Sequence, residues 1–163
     1  GSTCDALVES IDLAATFVEA AGGAVPTHII EGRSLMPFLH GETPQNWREA
    51  AISEYDYSVT PVATNLEVAT ADARLIMVAT KQWKLVHAEG GFRPMLFDLV
   101  NDPEERRDLG HDPAHTAVRS EMKDRMFDWM MNRRLRVTTP DTKIEAATAA
   151  AKPSLTGWPI GMW

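Results

Sequence analysis

Residues 83–110 read WKLVHAEGGFRPMLFDLVNDPEERRDLG, and this stretch decides how the rest of the chain can fold. Residues 83–88 show the side-chain alternation of a half-buried strand, and a Gly-Gly turn leads from them into a second strand over residues 94–99. Asn-Asp-Pro at 101–103 ends that strand, because proline has no amide to donate and Asn and Asp bond to their own backbone. A two-stranded hairpin alone is marginal in water, so the stretch predicts that an antiparallel sheet continues beside it.

Further elements are predicted on the N-terminal side of this hairpin. Residues 49–56 and 73–80 have the pattern of strands. Residues 57–71 lie between them as a long polar connection without a clear period, and loops of this length are usually functional or disordered. A short helical piece is expected over residues 34–41, where the first serine can serve as the cap and the last glycine as the stop.

Apolar residues at three- and four-residue spacing predict two longer helices. The first covers residues 5–21 and ends at Gly22-Gly23. The second begins at Asp112, the expected N-cap, with Pro113 at the first helical position. The two apolar faces consist of Leu7, Val8, Ile11, Ala14, Ala15 and Val18 in the first helix and of Val118, Met122, Met126, Trp129 and Met130 in the second. Because the first helix starts almost at residue 1 with a broad apolar face, we expect it to belong to a larger preceding unit.

The composition of the chain indicates which kinds of binding partner and which cellular compartment to expect. The chain has 163 residues, with 16 Lys and Arg against 23 Asp and Glu, giving a net charge of −7. An acidic chain repels phosphate backbones, so nucleic acid is not an expected partner. No apolar run reaches the roughly 18 residues of a membrane span, and no signal peptide is visible, so a membrane is not an expected partner either. The single cysteine excludes an internal disulfide and favours a cytoplasmic location, with the periplasm kept open as the alternative.

Few side chains have the spacing of a catalytic or metal site. Cys4 has no base near it in the sequence, so we interpret it as an ordinary thiol rather than a nucleophile. His111 and His115 are four residues apart, but His111 precedes the helix cap and the two would not share a face. His87 lies on a predicted strand, where a structural role is favoured over a catalytic one. The sequence contains no glycine-rich phosphate loop, zinc motif or Gly-x-Ser-x-Gly elbow.

Tyr55, Asp56 and Tyr57 form the densest polar group, in the sequence SEYDYS at the end of a predicted strand. Because a long loop follows them, the two phenols and the carboxylate are candidates for the rim of a substrate pocket. An ordinary strand end with solvated charges is the simpler interpretation, and it stays open here. The residues offer no candidate catalytic group and no candidate metal ligand, and alone they indicate an α/β domain without an active site of its own.

Four segments follow one another in an order and spacing that a known family shares. Residues 8–22, VESIDLAATFVEAAG, resemble a "vDl-pT-lelaG" helix, and residues 31–42, EGRSLMPFLHGE, resemble a "dG-SL-P-L-G" segment. Residues 47–56, WREAAISEYD, resemble the strand that follows, and residues 83–113 resemble a "ykl---ELYDL--DP-E--NLa-dp" hairpin. Together they resemble the C-terminal part of sulfatases and phosphonate monoester hydrolases, in the alkaline phosphatase superfamily.

This resemblance implies an α+β fold, namely a small four-stranded antiparallel sheet with a long helix, about residues 114–131, on one face. It also implies that the first helix belongs to a preceding α/β catalytic domain. In that family the chemistry comes from a cysteine in a Cys-x-Pro-x-Arg motif, oxidised to formylglycine, and from a divalent metal. Cys4 is followed by Asp-Ala-Leu-Val and lacks both the proline and the arginine. No catalytic or metal residue carries over, so both cofactors are implied for the missing catalytic domain and none for this chain.

We therefore expect three parts: the end of the catalytic region over residues 1–41, the sheet and helix subdomain over 42–136, and an extended tail over 137–163. The expected function is that of the C-terminal portion of a metal-dependent hydrolase of a sulfate ester, phosphodiester or phosphonate monoester. This chain alone is expected to be inactive and to have a structural and pocket-rim role. The alternative is a stand-alone binding or oligomerisation module without catalysis. Expected partners are the N-terminal catalytic domain and, through the tail, a second copy of the chain.

Overall fold

The fold was obtained as a computed structural model, which describes residues 3–133 and the isolated positions 140, 142, 143 and 146. Four strands form one antiparallel sheet, and helices lie before, within and after it. This confirms the α+β class that the sequence predicts. In chain order the elements are α1 (Asp12–Ala20), α2 (Met36–Leu39), β1 (Ala51–Asp56), α3 (Pro61–Asn65), β2 (Arg74–Ala79), β3 (Trp83–Ala88), β4 (Met95–Asp98) and α4 (Thr116–Asn132).

The sheet has the simple order β1-β2-β3-β4, so each strand pairs with its neighbour in sequence. In β2 and β3, Val78 lies opposite Leu85, and in β3 and β4, Leu85 lies opposite Leu96. Side chains at paired positions point to the same face of a sheet. These three residues are fully buried. They form the larger core cluster together with Leu109, which precedes α4, and Met122, which lies in α4. The hairpin at residues 83–110 is therefore the centre of the fold, as its sequence predicts.

Helix α4 covers this face of the sheet, close to the predicted bounds. The Asp112 carboxylate accepts a hydrogen bond from the Ala114 amide at 2.9 Å, which confirms the predicted cap. The first turn, Pro113–His115, is a 3₁₀-helix, so the α-helix proper begins at Thr116. On the predicted apolar stripe Met122 is 1% exposed, whereas Met130 is 45% exposed. The end of α4 therefore presents apolar surface that the described residues do not cover.

Two predictions about local structure were wrong. The first helix begins at Asp12 instead of residue 5, because the carbonyl of Leu7 accepts hydrogen bonds from the side chains of Trp47 and Arg48 instead of a helical amide. The predicted end is confirmed, since Gly22 has a φ of 76° directly after the helix. The connection over 57–71 is not without structure: it contains α3 and a 3₁₀ turn, Thr70–Asp72.

The predicted tail, residues 137–163, falls outside the described residues except at the four isolated positions. Its predicted role in assembly therefore stays a prediction. The predicted division at residues 41 and 136 also stays a prediction. Within the described residues, however, α1 is joined to the start of β1 by a set of polar contacts, and these contacts form the best-defined site of the chain.

Candidate functional site

Asp12 and Arg48 form a buried ion pair between the first turn of α1 and the segment before β1. The Asp12 side chain is fully buried, and the Arg48 side chain is 8% exposed. Both terminal nitrogens of the guanidinium contact the carboxylate, and the Nη2 to Oδ1 distance is 2.6 Å. The carboxylate also accepts hydrogen bonds from the backbone amides of Glu9 and Arg33, each at 2.8 Å. Four donors thus satisfy one buried carboxylate, which is the condition for burying such a charge.

A second ring of contacts extends this pair to the sheet. The Glu9 carboxylate lies 3.4 Å from Arg48 and accepts a hydrogen bond of 2.7 Å from the amide of Ile52, at the start of β1. The indole of Trp47 donates to the Leu7 carbonyl at 2.8 Å, and the Arg48 guanidinium lies 5.1 Å from the centre of the indole ring. We call Glu9, Asp12, Trp47 and Arg48 the polar joint. Its residues lie in two segments, 9–12 and 47–48, and the hydrogen bond from the Arg33 amide to Asp12 links a third.

The electrostatics of the polar joint follow from these contacts. Burial acts to raise the pKa of Asp12, but the hydrogen bonds from Arg48 and from the amides of Arg33 and Glu9 outweigh it, so the pKa lies below its ordinary value. For Arg48, burial acts to lower the pKa, and the hydrogen bond from Arg48 to Asp12 and the charge of Glu9 raise it above its ordinary value. Both groups are therefore charged at neutral pH, and the pair is not a proton donor or acceptor for chemistry.

The polar joint turns α1 so that its polar side faces the rest of the chain. The Thr16 hydroxyl donates to the Asp12 carbonyl at 2.7 Å and accepts from the Leu35 amide at 2.9 Å. A Cβ atom on Gly32 would lie 2.1 Å from the Ile11 carbonyl oxygen, so only glycine fits where this segment crosses the start of α1. Of the predicted apolar face, Ala15 is buried but Ile11 is 48% exposed. Within the described residues the predicted apolar face is therefore covered only in part, and its assignment to a larger preceding unit stays a prediction.

The candidate rim residues lie at the far end of β1. Tyr55 is 53% exposed, and Tyr57 is 5% exposed and packs against Ala63 and Ala73. Both rings line a groove of about 330 Å³ on the face of the sheet opposite α4. The Asp56 carboxylate accepts a hydrogen bond from the Ser58 amide at 2.8 Å, and its hydrogen bonds from Ser58 lower its pKa. The three residues are neighbours in space, and their role at a substrate rim stays a prediction.

The other candidates lie apart from one another. Cys4 is exposed at the edge of an open cavity of about 750 Å³, which His40, Arg48 and Lys81 also line. His115 packs edge-on against Trp83, with ring centres 5.7 Å apart. Among the residues that the structure describes, no three His, Cys, Asp or Glu side chains lie close enough to hold a metal ion. In the same residues, no helix is long and apolar enough to cross a membrane.

With the fold and the polar joint in place, comparison with known proteins assigns the family. Residues 1–132 match the family described as N-sulphoglucosamine sulphohydrolase, C-terminal. This chain belongs to the sulfatase C-terminal domain family. A multifunctional alkaline phosphatase superfamily protein of Trinickia caryophylli is 31% identical over 134 residues, which are 80% of this chain and 26% of that protein. An N-acetylglucosamine-6-O-sulfatase of Bacteroides thetaiotaomicron is 33% identical over 67% of this chain and 18% of its own length.

Two solved structures of phosphonate monoester hydrolases are similar to this sulfatase C-terminal domain. The phosphonate monoester hydrolase from Silicibacter pomeroyi matches with a TM-score of 0.70 and 31% identity, over 82% of this chain and 27% of that one. The phosphonate monoester hydrolase of Agrobacterium radiobacter matches with a TM-score of 0.69 and 26% identity, over 78% of this chain and 26% of that one. The chain thus spans about a quarter of the length of these relatives. The resemblance that the sequence motifs predict is confirmed.

Sequence reasoning missed the polar joint, although the signal was present. Asp12 and Thr16 occupy the "D" and "T" of the first family motif, and Gly32 occupies the glycine of the second. A polar pair with a spacing of four residues among the apolar positions of a helix indicates a face that binds polar groups. Weighing apolar residues alone hid this face, because the buried side of α1 is the polar one.

Proposed function

We propose that this sulfatase C-terminal domain is the non-catalytic part of a metal-dependent hydrolase that cleaves a sulfate ester, a phosphodiester or a phosphonate monoester. The names of its relatives support this reaction class, since they include sulfatases acting on sugars and phosphonate monoester hydrolases. The role of this chain in the hydrolase is to pack against the domain that carries the chemistry and to shape the edge of the pocket.

The observation that carries the proposal is the outward face of α1. The polar joint holds α1 with Asp12 and Thr16 inward, and this leaves Leu13 46% exposed and Phe17 66% exposed. Exposed apolar side chains that cluster on one helix face mark a surface for another protein body. Because the joint is buried and charged, α1 and the sheet would move together when this face is packed. A catalytic domain that binds α1 would therefore also fix the position of β1.

The described residues do not fit the cofactors of the proposed hydrolase. Cys4 has neither the proline nor the arginine that the formylglycine motif requires, and the described side chains do not cluster as metal ligands. We therefore derive no chemical step from this chain. Its proposed contribution to hydrolysis is made through position, by the joint at one end of β1 and by the candidate rim at the other.

Tyr55 is the best-placed member of the proposed rim. Its ring is half exposed at the end of β1, whereas Tyr57 is buried and supports the strand end from beneath. Replacing Tyr55 by Phe removes one hydroxyl and keeps the ring, so a role in binding an ester substrate predicts a raised KM with little change in folding. The matched control is Tyr57→Phe, since a buried supporting ring predicts no change in KM. If both variants had the same KM as the unaltered protein, the proposed rim role of Tyr55 would be refuted.

The central experiment measures hydrolysis of aryl sulfate, aryl phosphodiester and aryl phosphonate monoester substrates, each with added divalent metal. It compares the 163-residue chain with the full-length product of the gene that encodes it. The proposal expects hydrolysis by the full-length product and none by the 163 residues. Activity in the 163 residues alone would contradict it, because the site would then lie within this chain.

A stand-alone binding or oligomerisation module is the second candidate, and the same exposed face of α1 favours it. In such a module the Phe17 face would be covered by a second copy of the chain. Sedimentation of the 163 residues distinguishes the two. A dimer that Phe17→Ser converts to a monomer supports the module, provided that the full-length product lacks hydrolase activity.

A further inference from the structure

The sheet has an apolar face that α4 does not cover. Tyr55 lies opposite Leu75, and Val86 lies between Met77 and Met95, so these side chains point to the face away from the core. Leu75, Met77 and Val86 are only partly buried, and Met95 is 40% exposed. Within the described residues this face carries apolar side chains on all four strands, although Ser53 lies opposite Met77 on β1, and so much apolar surface is unusual for a sheet face that meets water.

One end of this face is shaped as a groove. Its floor is Leu75, Val86 and Ala88, and Tyr55 and Met95 stand on either side. Val62 and Leu66 of the α3 segment also line it, and both are about half exposed. Arg93 is the one charged side chain among the residues that line it. The volume of about 330 Å³ lies at the lower end of the range for ligand-sized pockets. The groove suits a bulky apolar group without negative or positive charge.

Helix α4 ends at the edge strand that borders this groove, on the opposite face of the sheet. Arg133, directly after α4, donates to the Glu54 carboxylate at 3.1 Å and lies over the Trp129 ring at 4.9 Å. Glu54 is the neighbour of Tyr55 on β1, and β1 is an edge strand of the sheet. A chain that continues from Arg133 therefore starts next to the edge around which it must pass to reach the groove. No crossing of the core is needed.

The sequence beyond Arg133 contains a segment with the matching chemistry. Residues 153–163, PSLTGWPIGMW, carry no charged side chain and include two tryptophans, an isoleucine and a methionine. Fully extended, the 24 residues between Arg133 and Trp158 would reach up to about 80 Å. The whole width of a four-stranded sheet is about 14 Å at normal strand spacing. The connecting residues are therefore long enough for Trp158 to reach the groove around the edge of the sheet.

We propose that residues 153–163 of the same chain bind in the groove formed by Tyr55, Val62, Leu66, Val86 and Met95. When one tryptophan of the segment binds there, both its ring and the apolar side chains of the groove are removed from water. An uncharged segment is the suitable occupant, because a groove with so few polar groups would leave a buried charge unpaired. A segment bound there would cover the Tyr55 ring, so this inference competes with the proposed rim role of Tyr55, but it does not depend on the rest of the proposed hydrolase function.

Disulfide trapping in the 163-residue chain tests the proposal. Cys4→Ser first removes the only thiol, and Ile160→Cys then places one in the segment. A second thiol is introduced at the groove, by Met95→Cys or, in a separate variant, by Val62→Cys. The matched control places it at Lys123, which is exposed on α4 across the sheet from the groove. Oxidation is followed by mass and by gel mobility.

The proposal expects an intramolecular disulfide at both groove positions that forms at least roughly tenfold faster than at Lys123, because binding raises the effective concentration of the two thiols. Equal rates at the groove and control positions would overturn it, since the segment would then meet all surfaces at random. A disulfide-linked dimer at Met95 would also overturn it, and would assign the groove to the segment of a second copy. Absence of any disulfide at both groove positions would overturn it as well.

Discussion

Arg48 holds the α1 segment on the sheet, and replacing it by methionine should cost a large part of the stability of this domain. Methionine keeps the unbranched apolar stem and removes the guanidinium. The Asp12 carboxylate would keep its two backbone donors from Glu9 and Arg33 but would remain buried without a countercharge. Breaking a buried pair from one side costs about 3–5 kcal/mol, against a total of about 5–15 kcal/mol for an ordinary domain.

The assay is urea unfolding and thermal unfolding, both followed by far-UV circular dichroism, with hydrogen exchange as a local readout. Each kcal/mol corresponds to about 2–4 °C in Tm for a domain of this size, so Arg48→Met should lower Tm by roughly 6–20 °C. Exchange should accelerate in α1 before it does in β2 and β3, because α1 is held by the polar joint while the inner strands are held by the apolar core.

Arg125→Met is the matched control. Arg125 pairs with Glu121 and Glu49 on the surface, where its partners are 64% and 82% exposed, and exposed pairs contribute about 0–1 kcal/mol. Arg48→Lys should fall between the two, since an ammonium keeps the charge but cannot contact both carboxylate oxygens in the same way. An Arg48→Met variant within about 1 kcal/mol of the unaltered chain would refute the view that the polar joint stabilises the domain.

Three further predictions follow from other parts of the fold. Met122→Ala should lower the free energy of unfolding by about 2–5 kcal/mol in urea titrations, because the side chain is 1% exposed, whereas Met131→Ala, 66% exposed, should change it little. Gly32→Ala should destabilise α1 and lower Tm in calorimetry, since its Cβ would meet the Ile11 carbonyl oxygen at 2.1 Å. The pKa of Asp12 is lower in the folded chain than the unfolded value of about 3.9, so its ionised form stabilises the fold above pH 4. The stability deficit of Asp12→Asn should therefore be largest near neutral pH and shrink as the pH falls below 4, as measured by urea unfolding at several pH values.

The sheet and α4 were predictable from the sequence because their signals are local. Alternation over residues 83–88, the turn glycines and the Asp112 cap each act within a few residues, and the structure confirms the elements they predict. The start of α1 was not predictable in this way. Its first turn is decided by hydrogen bonds from Trp47 and Arg48, about 40 residues further along, and no periodicity in a short window contains that information.

For the candidate rim, too, the sequence predicted which residues lie together but not how deeply each is buried. Tyr55, Asp56 and Tyr57 were found because they are adjacent in sequence, but their burial differs widely: Tyr55 is half exposed and Tyr57 is in a core with Ala63 and Ala73. That difference comes from α3 and the turn after it, which fold back over the strand end. A polar connection without a clear period does not show this, because short helices of four or five residues leave too few positions for a pattern.

Helix α1 has its polar side inward and its apolar side outward, and this reversed arrangement affects how the domain can pack against another body. In an ordinary surface helix the apolar side is inward and its burial holds the helix in place. Here Asp12 and Thr16 hold α1 from the inside by hydrogen bonds, and the apolar side chains Leu13 and Phe17 are left outward. A helix held by directional polar contacts keeps a fixed orientation even when its apolar face is uncovered. The sheet domain can therefore present that face to a second body already oriented, which lowers the ordering cost of packing the two together.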